Sequence, residues 1–299
     1  MDSDLVVVVL NPVAGGGKTL TLLPRVISAI ESLGRRYHLH LTERAGDGRI
    51  ATERLAREGA SVIIAVGGDG TIHEVANGLC DSGTRVPMGV VPAGSGGDFA
   101  RTIGASKRIE DSVPLACSGN VRPIDVGVAT FDDGSSHVFI NVAGLGFDAL
   151  AAERAARTKF LPGTNLPYLV AALQTLVSYK NMPVTVEADG EVIAMNVVFV
   201  QAANAKFMGG GYKIAPMADI SDGLLDVAIV GDMTKPDLLR TLPKVYSGGH
   251  VNHPKFIHRQ ARSIRIDSER PSRVQLDGEV MGSAPVTFSV KPGAIMLAG

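Results

Sequence analysis

Apolar and polar positions follow two different rhythms along this chain, and the change falls near residue 121. Before it, continuous β-branched runs alternate with segments whose apolar residues are three and four apart. Residues 5–10 suit a strand buried on both faces. Leu20, Leu23, Ile27, Ile30 and Leu33 then recur at helical spacing until Gly34 stops the helix. Residues 37–42, 61–66 and 86–91 read as further strands, with helices over 49–57 and 71–80 between them. The outline is βαβαβαβ, the alternation of a parallel sheet. After residue 121, short strands joined by turns predominate, as in 184–188 and 192–200 around the Asp189-Gly190 turn. Two helices interrupt that half, over 149–157 and 166–178, the second with a stripe of Leu169, Leu173, Leu176 and Val177. The expectation is an α/β N-terminal lobe with a parallel sheet and a mostly-β C-terminal lobe.

A length of 299 residues supports two lobes, each able to hold a core. The boundary is placed near Pro123, giving 1–122 and 123–289. Hydrophobic residues at 45% and charged residues at 20% describe a globular chain, and the net charge of −1 supplies no basic field for a nucleic acid. Anion binding must therefore be local. Cys80 and Cys117 stand in apolar helical contexts without metal-ligand spacing, so buried thiols in a reducing compartment are expected. The start lacks the basic region and cleavage site of a signal peptide, and no apolar run approaches the ~18 residues a spanning helix needs. A cytoplasmic protein that touches a membrane transiently, if it uses a lipid, fits these features.

Three glycine clusters follow strands of the first half: Asn11-Pro-Val-Ala-Gly-Gly-Gly-Lys18, Gly67-Gly-Asp-Gly-Thr71 and Pro92-Ala-Gly-Ser-Gly-Gly-Asp98. An open parallel sheet delivers all three to its carboxyl edge, where ligands bind. Each can present backbone N–H groups to phosphate oxygens. A single cluster is equally well a tight turn; three together, with acids and hydroxyls embedded, favour a phosphate site. The first is no P-loop, because Pro12 stands where that motif needs glycine. A dinucleotide fingerprint with its ribose-binding acid is likewise missing. Asp69, between glycines, places a carboxylate at the phosphates, which calls for a bridging Mg²⁺. Read alone, Gly-Asp-Gly is better explained as an Asx turn or helix cap.

With these motifs in order, followed by Asn141 to Asp148, Asn204 to Pro216, Ser221-Asp-Gly-Leu-Leu-Asp226 and Gln275-Leu-Asp-Gly-Glu279, the chain resembles the diacylglycerol kinase catalytic domains of the bacterial soluble lipid kinases, relatives of sphingosine and ceramide kinases. The resemblance spans nearly the whole sequence. It implies an N-terminal lobe like that of NAD kinases and phosphofructokinases, a β-sandwich second lobe, and a last strand, about 290–299, that returns to the first. It also implies ATP contacts at Asn11, Pro12, Val13, Ala14, Gly15, Thr42, Gly68, Asp69, Gly70, Thr71, Ile72, His73, Glu74 and Ser95. Asp69, with Asp98 through water, would join a Mg²⁺ network, and Asp219, Asp222 and the Leu224 carbonyl would form a structural Mg²⁺ site. One departure is Gly97, where many relatives carry asparagine before the aspartate.

Phosphoryl transfer also needs a proton acceptor. Asp277 and Glu279 flank Gly278, and at alternate positions of an extended chain they would share a side. The resemblance favours Glu279 as the base, with Asp277 near the same centre; Asp277-Gly278 also reads as a plain hairpin turn. Lys18, Lys206 and Lys213 read as solvated, and His250, His253 and His258 lack the spacing of a zinc site. For a membrane contact the sequence offers the 166–177 stripe with Tyr168 and Tyr179, and the basic stretch of Lys255, Arg259, Arg262 and Arg265. The leading expectation is ATP-dependent phosphorylation of a lipid hydroxyl, foremost diacylglycerol to phosphatidic acid. An NAD kinase-like enzyme and a non-catalytic nucleotide or lipid sensor are the alternatives. The acceptor lipid and the oligomeric state, a homodimer included, stay open.

Overall fold

The computed structural model describes residues 4–94, 96–157, 174–175 and 178–299, arranged as two compact units, Met1–Ile124 with Gly293–Gly299 and Asp125–Pro292. The 166–178 helix predicted from its stripe lies outside the described residues apart from Gln174, Thr175 and Ser178, and so does Ser95.

In the first unit β1 (Leu5–Leu10), β2 (Arg36–Leu41), β3 (Val62–Gly67) and β4 (Met88–Pro92) alternate with α1 (Lys18–Ser32), α2 (Asp47–Arg57) and α3 (Asp69–Ser82). The strands run parallel in the order β4-β3-β1-β2. β1 and β3 are buried on both faces, which is why their sequences are continuous Val and Ile runs. Val26 and Ile30 of α1 pack on Val6, Val8 and Ile64 of the sheet. Leu20 and Leu33, which the helical stripe included, end up 45% and 42% exposed, since the apolar period outruns the contact area at both helix ends. Two short helices, α4 (Asp98–Ile103) and α5 (Ile109–Ala116), complete the unit; neither is apparent in the spacing, because six and eight residues are too few to display a helical period. Cys80 and Cys117 form no disulfide and are half-buried instead of fully buried.

The second unit is built from antiparallel strands: β5 (Val121–Phe131), β6 (Ser136–Phe139), β7 (Val142–Gly146), β8 (Met182–Ala188), β9 (Glu191–Ala203), β10 (Leu225–Gly231), β11 (Phe256–Ala261), β12 (Ser263–Ser268), β13 (Arg273–Leu276) and β14 (Glu279–Ser283). β9 organises it, pairing with β8 along its first half and with β7 and β10 along its second. α6 (Phe147–Arg157) follows β7, and α7 (Lys235–Val245) follows β10. Thr234 caps α7, its hydroxyl accepting from Asp237 N, and Pro236 sits in the first turn where its missing N–H costs nothing. The last strand, β15 (Val286–Ala298), pairs with β12 through Val286–Ser289, and its far end pairs with β4 at Leu297 and Met88. Among the described residues no helix is long and apolar enough to cross a membrane.

The second core centres on Phe139 and Phe288, both fully buried, with ring centroids 5.9 Å apart and edge to face. Phe139→Ala removes one ring of this pair, and the expected loss is about 3–5 kcal/mol of unfolding free energy by denaturant titration; a loss below about 1 kcal/mol contradicts the packing.

Candidate active site

The three glycine clusters leave β1, β3 and β4 at the carboxyl edge of one parallel sheet, so the topology alone gathers them. Their contact is close. A Cβ on Gly94 would stand 2.4 Å from Gly68 Cα, and one on Gly15 would stand 2.6 Å from the Ala93 carbonyl oxygen. Only glycine lets these backbones touch. Asn11 starts the first loop with an Asx turn, Oδ1 accepting from Val13 N at 3.0 Å, and Thr19 ties its far end by donating to the Ala14 carbonyl at 2.8 Å. Val13 stands 76% exposed at the loop tip.

Asp69 is the first residue of α3, with Gly68 as a cap that makes no side-chain bond. Its Oδ1 accepts from Phe99 N at 3.1 Å, and a Cβ on Gly96 would fall 2.5 Å from its Oδ2. The carboxylate thus reaches across to the third loop. Asp98, the first residue of α4, is nearly buried and accepts from Arg101 Nη1 at 3.0 Å, while the same nitrogen also donates to the Gly96 carbonyl. Arg101 closes the Pro92–Arg101 stretch that carries the resemblance but was given no role from the sequence; its place three residues after Asp98, one helical turn along, was the available signal.

The other residues that the resemblance assigned to ATP divide into two groups. Thr71 and Ile72 are buried, so the Ile72 side chain belongs to the core. Gly70 lies in the first turn of α3 and His73 in the next, with Asn77 Nδ2 3.2 Å from His73 Nε2. Glu74 points to α2: its two oxygens accept from Gly46 N and Gly48 N, both at 2.8 Å, so a carboxylate sits on the N-terminus of that helix. Thr42, at the end of β2, donates its N–H to Leu10 O at 3.0 Å, and its methyl lies 3.4 Å from where a Gly48 Cβ would be.

In the second unit Asp277 and Gly278 form the two-residue turn between β13 and β14, with φ of 50° and 91°. Both are left-handed, as a type I′ hairpin requires. The expected extended geometry, with Asp277 and Glu279 on one side, is therefore not what the chain adopts: the turn reverses it between them. The Asp277 carboxylate accepts from Ile140 N, Asn141 N and Val142 N at 2.9, 2.8 and 3.1 Å, while Glu279 is exposed and paired across the hairpin with Leu276. Gln275 Oε1 supports the turn by accepting from Gly278 N at 2.8 Å.

Asp219 accepts from Ser221 N and Oγ at 3.0 and 2.7 Å, and Asp222 accepts from Leu224 N at 3.0 Å. These oxygen donors have the chemistry a hard cation prefers. Yet each carboxylate already closes its own turn, and among the described residues no three His, Cys, Asp or Glu side chains converge to hold a metal. Nearby, buried Asp226 meets His258 Nε2 at 2.6 Å; burial pushes its carboxyl upward and the histidine bond pulls against that. The basic stretch is largely occupied: Arg259 pairs with Glu191, Arg265 with Asp132 and Asp267, and the Lys255 ammonium donates to the Asp232 carbonyl.

A parallel sheet with glycine loops at its carboxyl edge and an antiparallel second unit have the architecture of the two-lobed lipid kinase class, and the family matches assign the chain to it. The chain belongs to the diacylglycerol kinase family: residues 5–129 match the diacylglycerol kinase catalytic domain, and 141–299 match the YegS C-terminal NAD kinase beta sandwich-like domain. A diacylglycerol kinase of Bacillus subtilis (strain 168) is 30% identical over 283 residues, 94% of this chain and 91% of the relative. One of Staphylococcus carnosus (strain TM300) is 29% identical over 282 residues, 94% and 90% of the two chains. A crystal structure of a provisionally named diacylglycerol kinase from Bacillus anthracis str. Sterne superposes with a TM-score of 0.81 at 26% identity, covering 99% of this chain and 97% of the other.

Asp277→Ala strands three backbone N–H groups, and the expected cost is about 2–4 kcal/mol of unfolding free energy. Asp277→Asn, which keeps an acceptor oxygen, should lose less; equal stability of wild type and Asp277→Ala in denaturant melts contradicts the amide-holding role.

Proposed function

We propose that this chain transfers the γ-phosphate of ATP to the hydroxyl of diacylglycerol, giving phosphatidic acid, on lipid taken from a bilayer surface. The observation that carries the reading is the mutual contact of three glycine loops at the sheet's carboxyl edge, with the Asp69 carboxylate reaching to the third, in a chain of this family. Phosphoryl transfer asks little covalent chemistry of a protein; it needs the triphosphate positioned, its charge balanced and the acceptor hydroxyl deprotonated. Gly68 to Thr71 offer backbone N–H groups at the start of α3, where phosphate oxygens are favoured, while in the first loop Val13 N and Ala14 N already bond to Asn11. Bound Mg²⁺ would balance phosphate charge, with Asp69, and Asp98 through water, as its protein partners. Arg101 holds Asp98 in place.

On the acceptor side Glu279 takes the hydroxyl proton. Asp277 sets the turn that carries it, its carboxylate anchored by the three backbone amides it accepts from. Membrane contact is assigned to α7 in place of the basic stretch, where Arg259 and Arg265 are paired with carboxylates. Leu239 and Tyr246 are 51% and 56% exposed, and Lys235, Arg240 and Lys244 are exposed around them. An apolar face rimmed by cations suits an anionic bilayer.

Labelled phosphate from ATP with Mg²⁺ should enter diacylglycerol in mixed micelles. Glu279→Gln should lower kcat about 10²–10⁴-fold while leaving the KM for ATP unchanged. Full turnover in Glu279→Gln removes the base assignment, and label in NAD but in no lipid replaces the acceptor. In co-sedimentation, vesicles with anionic lipid should bind the wild type more tightly than neutral ones, and Lys235→Ala with Lys244→Ala should erase the difference; equal binding to both vesicle types contradicts the α7 contact.

A further inference from the structure

The hairpin that carries Glu279 also forms an edge of the antiparallel sheet. β13 pairs with β7 on one side and β14 on the other, and among the described residues β14 pairs with β13 alone. The register fixes where the main-chain groups point. Asp277 N donates to Val142 O at 3.0 Å, so Gln275 and Asp277 turn their peptide groups toward β7. Leu276, between them, turns its own toward Glu279, the residue opposite it across the two-residue turn. One residue further along, the N–H and C=O of Val280 point away from β13, and no described strand takes them up. Val280 is half-buried, and Glu279 beside it is exposed.

Strand edges are usually blunted against pairing with other chains. β2 and β11, which are edge strands too, carry Arg36 and Arg259 for this. β14 reads Glu-Val-Met-Gly-Ser, without lysine, arginine or proline. Its protection is a slip in register: Gln275 faces Val280 and Val274 faces Gly282, which leaves Met281 as a bulge. A bulge bends the strand and ends regular pairing, so a whole strand finds no continuous edge here. What is left before the bulge is the main chain of one residue, next to the acid that takes the proton. A single outward N–H suits a single carbonyl oxygen. Diacylglycerol carries one at a matching place, because the carbon next to the one bearing its hydroxyl is esterified.

We infer that the Val280 N–H donates a hydrogen bond to the ester carbonyl on the carbon beside the reacting hydroxymethyl group of the acceptor lipid, and so selects an acyl carbonyl there over an ether. The inference rests on the lipid kinase reading and deepens it, since it names what the acceptor must carry beside its hydroxyl. A main-chain donor is present whatever side chain stands at 280, so only a change that removes the N–H removes the contact.

The test reads the Val280 amide in the full chain labelled with isotopic valine, its signal assigned by its loss in Val280→Ala. Saturating dioctanoylglycerol should move the Val280 amide proton downfield, and the dialkyl ether analogue, which lacks both carbonyls, should leave it in place. An equal shift with the two lipids, or no shift with either, overturns the contact. In turnover, wild type should favour the diester over the diether by about tenfold in kcat/KM. Val280→Pro deletes the donor at an edge position that proline tolerates, and that ratio should fall about tenfold. An unchanged ratio in the variant overturns the selectivity; should Val280→Pro melt early, the amide shift in wild type decides. Phosphate transfer separates the two readings. Transfer to both lipids with an unmoved Val280 amide removes the contact and keeps the kinase, whereas a diester-specific shift without transfer to any lipid removes the kinase proposal and keeps the contact.

Discussion

Where Gly94 lies against Gly68, two main chains touch with no side chain between them, and the arrangement of the glycine loops depends on that contact. It brings the ends of β3 and β4 together, sets the start of α3, and leaves the Asp69 carboxylate reaching to Phe99 N on the neighbouring loop. A single methyl group at Gly94 would demand that the loops separate, since Cβ atoms do not approach backbone to 2.4 Å. The parallel sheet supplies the frame, its β1 and β3 strands buried on both faces. Rigid strands and side-chain-free turns thus make a surface of N–H groups and one acid, which is what a triphosphate with its cation needs.

The second unit uses a different device, and uses it twice. Asp189 and Asp277 both occupy the first position of left-handed Asp-Gly turns, and both carboxylates accept backbone N–H groups from a neighbouring strand. At Asp189 the partners are Arg262 and Ser263; at Asp277 they are Ile140, Asn141 and Val142. The two acids are alike in mechanics, and the one beside Glu279 differs only in the turn that it holds. In the proposed transfer, the acid that anchors the hairpin would do the positioning and the exposed acid two residues on would take the proton.

Much of the first unit was legible because its signals are local. Val and Ile runs, a glycine after each, and apolar residues at helical spacing define βα units without reference to the rest of the chain. The carboxyl-edge convergence followed from topology. What was not legible depended on long-range partners. Glu74 looks in sequence like part of the phosphate motif, and its bonds run to Gly46 and Gly48 on another helix. Asp277 and Glu279 suggested a shared face, and the left-handed φ of Asp277, fixed by amides more than 130 residues away in the chain, turns the backbone between them. The basic stretch looked available until Glu191, Asp132 and Asp267 were found beside it. An apolar cavity of the second unit draws its walls from strands and helices scattered between Phe147 and Phe256, so no window of sequence contains it.

The account rests on backbone amides of the touching glycine loops holding the triphosphate. Glycine-labelled protein titrated with a non-hydrolysable ATP analogue and Mg²⁺ tests this directly by amide chemical shifts. The account predicts saturable shifts at Gly15, Gly68 and Gly94, with Gly134 and Gly190 in hairpin turns of the second unit unmoved. Saturation by the nucleotide with those three loop glycines unmoved would contradict it.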